Sequence, residues 1–306
     1  MIGRVGAITD PGRTRRHNED SYIIEPPLFA IADGMGGAQA GEVASRLATV
    51  ALKESGPGSG GEQRIADLIQ EANRRVYDRS SSDPNTSGMG TTITVALVED
   101  DAVAFGHVGD SRAYLVREAT MEQLTEDHSL VNELLKTGKL SREEAETHPQ
   151  RSVITRALGT DPDVDVDTFS VRAEDGDLFL LCSDGLTDMV SEEAILDVVE
   201  RNRGNIDRAL RALVKEANKG GGQDNITVVA FEIDGTVLSQ DGETREQALP
   251  AGEDEDTLTE QDGVPVVREP QPEVKARHLR RRILAWLVVL ALLAAAALFI
   301  YVRFVR

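Results

Sequence analysis

Short apolar runs set off by glycine, aspartate and asparagine dominate the first 233 residues: VGAITD, LFAIAD, TTITVALVED, AVAFGHV, SRAYLVR, DLFLLCSD and NITVVAFEI. Runs of this length between turn formers predict β-strands. Other stretches carry a helical period. GEVASRLATVALKE places Val43, Leu47, Val50 and Ala51 on one face, and residues 62–80 and 205–218 repeat the pattern. SEEAILDVVE opens on Ser191, a suitable N-cap, with acids in the first turn. The long helices fall into two sequence-adjacent groups separated by many strands. A parallel sheet would need strict strand–helix alternation. The pattern therefore predicts an α+β domain over residues 1–233, with two mainly antiparallel sheets and helices outside.

The pattern changes beyond residue 233. Residues 234–273 hold 12 Asp/Glu against 2 Lys/Arg, include Pro250, Pro265, Pro270 and Pro272, and lack aromatics. That composition cannot fill a core, so residues 234–274 read as an acidic, disordered linker. A basic juxtamembrane stretch, 275–282, follows. Residues 283–302, ILAWLVVLALLAAAALFIYV, carry no charge. At about 1.5 Å per residue they reach about 30 Å, the thickness of a bilayer's hydrocarbon core, and predict one transmembrane helix. Lys275, Arg277, Arg280, Arg281 and Arg282 precede it, while Arg303 and Arg306 follow. The positive-inside rule then puts residues 1–233 in the cytoplasm of a single-pass membrane protein, with residues 303–306 outside.

Charge narrows the function. The chain carries −20 overall. The linker contributes −10 and residues 274–306 contribute +7, which leaves −17 on residues 1–233. A domain this acidic repels a phosphate backbone, so nucleic acid is not an expected partner. An anionic substrate would need cations to invert the local field. The one cysteine, Cys182, forms no internal disulfide and reads as a buried small hydrophobe. MIGRVGAITD lacks the apolar run of a secretory signal.

The candidate chemistry lies in carboxylates at strand ends and in turns: Glu19 and Asp20 in NEDSY, Asp33 in AIADGMGG, Asp110 in HVGDSR, Asp184 in LLCSDGL and Asp224 in GGGQDNITVV. Each one alone is an ordinary turn residue. As a set, four of them end or begin strongly apolar strands, and such ends can meet on one rim of a sheet-based core. Clustered there, they would repel one another and stay partly protonated unless cations bound them. Hard oxygen donors suit Mg²⁺ or Mn²⁺. Gly34 lets the backbone turn after Asp33, so that a main-chain carbonyl can face a metal.

The ordered series Thr9-Asp10-x-Gly12-x-x-Arg15-x-x-Asn18-Glu19-Asp20, DGMGG, GDSRAY, HP-x-x-x-x-ITRALG, LCSDGL and DNITVV resembles the type-2C, or PPM, metal-dependent protein serine/threonine phosphatases. The motifs span nearly all of residues 1–233, and six in order are far more specific than any one. The linker and apolar helix resemble those of bacterial members that partner membrane-bound Ser/Thr kinases. The resemblance implies a four-layer α-β-β-α sandwich with a monomeric catalytic domain and metals at one end. It implies that Asp33 bridges two Mn²⁺ or Mg²⁺ ions and that Gly34 offers its carbonyl. Asp20 belongs to the same cluster, with Glu19 acting through water, and Asp184 and Asp224 ligate the other ion. Asp110, with Asp184, would hold a third, weaker ion. Arg15, four residues before Glu19, matches the phosphate-binding arginine. Phosphoserine and phosphothreonine proteins would be hydrolysed by direct attack of a metal-bridging hydroxide. Arg13 and Arg16 lack that register and read as solvated surface.

Three features need separate reading. Relatives often have a histidine in or after the DGxGG loop to protonate the leaving group; Met35 and Ala38 stand there. Residues 128–158 match a flap over the cleft. The ladder DPDVDVDTFSV fails as an EF-hand, with Val166 where Gly is needed and Arg172 where Glu is needed, and its alternation predicts a strand with one solvated face. A non-catalytic phosphoprotein binder and a hydrolase of another phosphoester are the rival functions. The complete acidic set with Arg15 argues against the first, and the domain's charge argues against a polynucleotide substrate.

Overall fold

β3 (Leu28–Met35) shows how the domain is layered. Along it, Leu28, Ala30 and Ala32 pack toward helices, while Phe29 and Ile31 pack toward a second sheet. A strand period of two with both faces buried produces the unbroken apolar runs of the sequence. The structure is a computed structural model; it describes residues 2–36, 40–141, 144–145 and 148–235. The expected basic stretch, transmembrane helix and tail, and the linker from residue 236 on, lie outside the described residues. Among the described residues no helix is long and apolar enough to cross a membrane.

The first sheet runs in the order β1 (Ile2–Asp10), β11 (Ile226–Ile233), β10 (Leu178–Cys182), β7 (Arg112–Arg117), β8 (Thr120–Gln123). The second runs β2 (Asp20–Glu25), β3, β5 (Ile93–Glu99), β6 (Ala102–Val108), β9 (Asp167–Arg172), with β4 (Gly90–Thr91) paired to the end of β3. Every pairing is antiparallel. Between the sheets Phe29 stacks on Phe231 at 4.2 Å, and Phe179 lies 5.1 Å from Phe231. Helices α1 (Ala40–Ser55) and α2 (Gly61–Ser82) cover the second sheet through Ala44, Leu52, Ile65 and Ile69. Helices α5 (Glu192–Arg201) and α6 (Ile206–Gly220) cover the first through Ile195, Val199, Leu210 and Leu213. These are the two antiparallel sheets with outer helices that the sequence predicts. Ser191 caps α5 by accepting from the Ala194 amide.

One expectation fails. The Asp-Val ladder is not a strand along its length; only Asp167–Arg172 forms one. β6 pairs with β9 from Ala102 to His107, and His107 meets Asp167, so residues 161–166 have no partner strand to extend along. Within residues 128–158, where the sequence reading expects a flap, helix α3 (Leu130–Lys136) is capped by Ser129.

The segment that leads into α3 rests on a buried histidine pair, His107 and His128, with rings 4.8 Å apart. His107 bonds Thr94 and the Glu126 carbonyl, and His128 bonds Asp167 and accepts from the Gly109 amide. Burial, then the neighbouring His128, pushes His107 down to about 4. The unfolded chain therefore binds the extra proton between pH 6.5 and about 4, and stability falls as pH falls through that window. Urea unfolding at pH 6.5 and pH 4 should show an acid loss smaller by about 3 kcal/mol in His107→Asn than in the parent chain.

Candidate metal centre

Asp20 and Asp33 face each other directly across the β2–β3 ladder. Like charges so opposed weaken a sheet unless something offsets them. The other acids reach the same rim from different directions. Asp184 opens the short helix α4 (Asp184–Thr187) two residues after β10 ends. Asp224 stands two residues before β11, and Asp110 lies in the turn between β6 and β7 after Gly109, whose φ is 117°. The apolar runs form the two sheets, and the acids sit where those sheets stop.

The electrostatics report a crowded rim. Burial raises Asp33 well above its ordinary range, and Asp20, Asp184, Asp110 and Asp224 all push it further. Asp184 rises for the same reason, with Asp110 and Asp224 next in effect. Burial pushes Asp20 up to about 6 against opposing hydrogen bonds, and Asp110 up to about 7. Asp33 is the hub, since it feels all four neighbours.

Hydroxyl groups orient Asp20. Its Oδ2 accepts from Thr227 at 2.5 Å and Ser183 at 3.0 Å, both fully buried. Thr9 lies 2.7 Å from Thr227, and the Asn18 amide donates to Thr9 at 2.7 Å. The chain of donors leaves the other oxygen bare: Asp20 Oδ1 and Asp184 Oδ1 are buried and have no hydrogen-bond partner among the described residues. Such an atom is expensive unless a cation or water meets it. Five carboxylates, two of them with an orphaned oxygen and with no Cys or His among them, fit hard divalent cations. Among the described residues no three His, Cys, Asp or Glu are drawn together into a closed ligand set. Arg15 instead takes Asp224, at 2.6 Å, and supplies the positive charge there.

Thr227→Val removes a donor that fixes Asp20 without altering the carboxylates. Calorimetric titration of the full chain should show Mn²⁺ affinity weakened about 10–100-fold in Thr227→Val and restored in Thr227→Ser.

The backbone at Gly34 is packed too closely for a side chain. A Cβ there would lie 2.1 Å from the Gly41 carbonyl oxygen and 2.6 Å from that of Glu19. The Gly34 amide donates to the same Glu19 carbonyl at 3.1 Å. The Glu19 carboxylate in turn lies against Gly41 at the start of α1, where helix N-terminal amides favour negative charge. Gly34→Ala should destabilise the domain by about 3 kcal/mol in urea unfolding, because only backbone movement can relieve the contacts.

Arg15 does not touch Glu19 by hydrogen bond, yet it is the first charge that opposes burial in lowering Glu19. Its loop is clamped by Asn225, which accepts from the Glu19 amide at 2.7 Å and donates to the Pro11 and His17 carbonyls. A recess of about 210 Å³ opens here, lined by Arg15, Arg16, His17, Glu19, Gly36 and Asn225. Sequence reading treated Arg16 as solvated surface and passed over Asn225 and Asp188. Asp188 lies one helical turn after Asp184, raises it, and is paired with Arg151 at 3.6 Å. The spacing of four was the available signal for Asp188. Met35 ends β3, while Ala38 lies outside the described residues. Cys182 is fully buried and its thiol is pushed up to about 12 by that burial, which leaves it inert.

A model of the protein phosphatase 2C family matches residues 16–217. The serine/threonine phosphatase Stp of Listeria monocytogenes is 41% identical over 245 residues, which covers 76% of this chain and 97% of Stp. The crystal structure of the Mycobacterium tuberculosis serine/threonine phosphatase PstP/Ppp aligns with a TM-score of 0.73 at 38% identity, over 76% of this chain and 100% of that one. The PstP catalytic domain in complex with two manganese ions aligns with a TM-score of 0.70 at 36% identity, over 76% of this chain and 99% of that one.

Proposed function

The chain belongs to the protein phosphatase 2C family, and we propose that it removes phosphate from phosphoserine and phosphothreonine in proteins, using divalent cations held by Asp33 and its neighbouring carboxylates. It is a serine/threonine phosphatase of the bacterial PPM type. The observation that carries the metal reading is the hub at Asp33: four carboxylates press on it from three strand ends and a turn, and two buried carboxylate oxygens have no partner among the described residues.

Asp20, Asp33, Asp184 and Asp224, with the Gly34 carbonyl, would hold two Mn²⁺ or Mg²⁺ ions, and Glu19 would act through water. Asp110 with Asp184 would hold a third. Paired divalent ions supply a water-derived nucleophile near neutral pH and offset charge on the attacking and leaving oxygens. The chain's own groups do the rest. Thr227 and Ser183 fix which oxygen Asp20 presents. Asn225 holds the Arg15 loop against the rim. Arg15, half exposed and paired with Asp224, can turn its remaining donors to the phosphoryl oxygens, a fork suited to phosphate. His107 and His128 are committed to the segment that leads into α3 and touch none of these acids by hydrogen bond, so neither serves as the proton donor to the leaving oxygen.

The location is part of the same proposal. The uncharged segment 283–302, with five Lys/Arg before it and two after, supports a membrane anchor with the catalytic domain in the cytoplasm, where it would oppose membrane Ser/Thr kinases. Membrane fractionation of the full chain and of residues 1–240 tests the anchor: the full chain should sediment with membranes and the shorter one should not. Phosphate release from phosphothreonine and phosphoserine peptides tests the activity. Turnover with Mn²⁺ that ceases in chelator supports the reading, and none from folded, Mn²⁺-loaded chain overturns it.

A further inference from the structure

The recess beside the metal centre is lined by two arginines and a histidine as well as the Glu19 carboxylate, more donors than one phosphoryl group needs. Arg15 accounts for one guanidinium and is already aimed at the rim through Asp224. Arg16 and His17 line the same recess. Both side chains are exposed, and no hydrogen bond or ion pair holds either of them among the described residues. Arg15 beside them is paired with Asp224, so Arg16 and His17 are the recess-lining basic side chains left without a carboxylate among the described residues. The setting matters because residues 1–233 carry −17. An anionic peptide is repelled over most of this surface, so a local cluster of free donors has a disproportionate effect on which peptides dock. The loop that bears them is not free to drift: Asn225 holds the His17 and Pro11 carbonyls, and the Gly222 carbonyl accepts from the Arg13 amide at 2.8 Å.

We propose that Arg16 and His17 form an accessory anion subsite beside the catalytic centre, so that the favoured substrate is a phosphopeptide with a second anionic residue close to the phosphoresidue being hydrolysed. The proposal rests on the phosphatase reading and names the substrate class of that same site. Arg15 meets the phosphoryl group that is removed. Arg16 and the His17 ring meet the neighbouring group, phosphate or carboxylate. Adjacent residues of an extended peptide advance by about 3.3 Å, so a second anion one or two positions away lies within reach of the next side chains along the loop. Arg16, which reads as plain solvated surface in the sequence, thus becomes a selectivity determinant together with His17. Binding strength gained away from the reacting atoms can raise kcat/KM for the matching peptide.

The test uses the full chain loaded with Mn²⁺ and three phosphothreonine peptides of equal length, with a neutral residue, an aspartate or a second phosphothreonine two positions away. The parent chain should favour the two anionic peptides. In Arg16→Gln/His17→Gln that preference should fall by about tenfold, mostly through KM, with a weaker dependence on salt. Fluorescence anisotropy in an Asp184→Asn background reads binding without turnover, and there the double variant should lose the same preference. A parent chain indifferent to the neighbouring residue, or a double variant that keeps the preference, overturns the subsite. Absence of turnover on all three peptides by the loaded parent chain overturns the phosphatase reading instead, and the anisotropy ranking then decides the subsite by itself.

Discussion

Asp33→Asn is expected to lower kcat/KM toward a phosphothreonine peptide by about a thousandfold or more, equivalent to about 4 kcal/mol of transition-state stabilisation. The substitution keeps the shape of the side chain and the β2–β3 pairing. It removes the charge that all the neighbouring carboxylates surround. The same charge is a liability without cations, so the melting temperature of the metal-free variant should rise by a few degrees while activity is lost. Opposite movement of the two readouts distinguishes a functional carboxylate from a structural one. A loss of both would make Asp33 a fold residue. Steady-state kinetics and thermal unfolding of the same samples measure the two effects.

Removing divalent cations is expected to have the second large effect, on activity and on stability together. Asp20, Asp33, Asp110 and Asp184 all have folded pKa values raised above the ordinary carboxylate range, burial being the main cause in each. A raised carboxyl means that the folded state holds the proton more tightly than the unfolded one. The contribution of these carboxyls to the metal-free fold, opposite in sign to that of His107, is therefore full below about pH 4 and is lost as pH rises through about 6 for Asp20 and about 7 for Asp110. Cations reverse that loss where the carboxyls are ionised. At a hundredfold excess over Kd, Mn²⁺ should add about 2.7 kcal/mol, or roughly 5–10 °C in melting temperature, at pH 8. The shift should shrink toward pH 5, where protons compete with the metal. Thermal unfolding in chelator and in Mn²⁺ at the two pH values checks both size and sign.

Much of the site was legible because an acid stands out at the end of an apolar run. Asp33 lies near the end of β3, and Asp184 and Asp224 sit just outside β10 and β11, strands that each bury at least five residues in a row. The two sheets were legible for the same reason. What pattern reading could not supply was register. That Asp20 meets Asp33, and not the residue before it, depends on how β2 pairs with β3. Thr227 and Ser183 were hidden differently. A threonine in a strand and a serine after one look like ordinary residues until a buried carboxylate is found at hydrogen-bond distance. The ladder at residues 161–167 misled because alternation alone predicts a strand, whereas a strand also needs a neighbour, and β6 offers none beyond His107. Arg16 read as solvated surface because motif register singles out Arg15 alone; only the folded loop shows Arg15, Arg16 and His17 lining one recess.

The most direct test of the account is a Mn²⁺ titration of the metal-free full chain, followed by calorimetry and by phosphate release from a phosphothreonine peptide, for the parent and for Asp33→Asn. The parent should bind two ions tightly, and turnover should rise with their occupancy, while Asp33→Asn should lose the tight sites and the turnover together. Turnover by the metal-free parent, or undiminished turnover by Asp33→Asn, would contradict a phosphatase built on carboxylate-held cations.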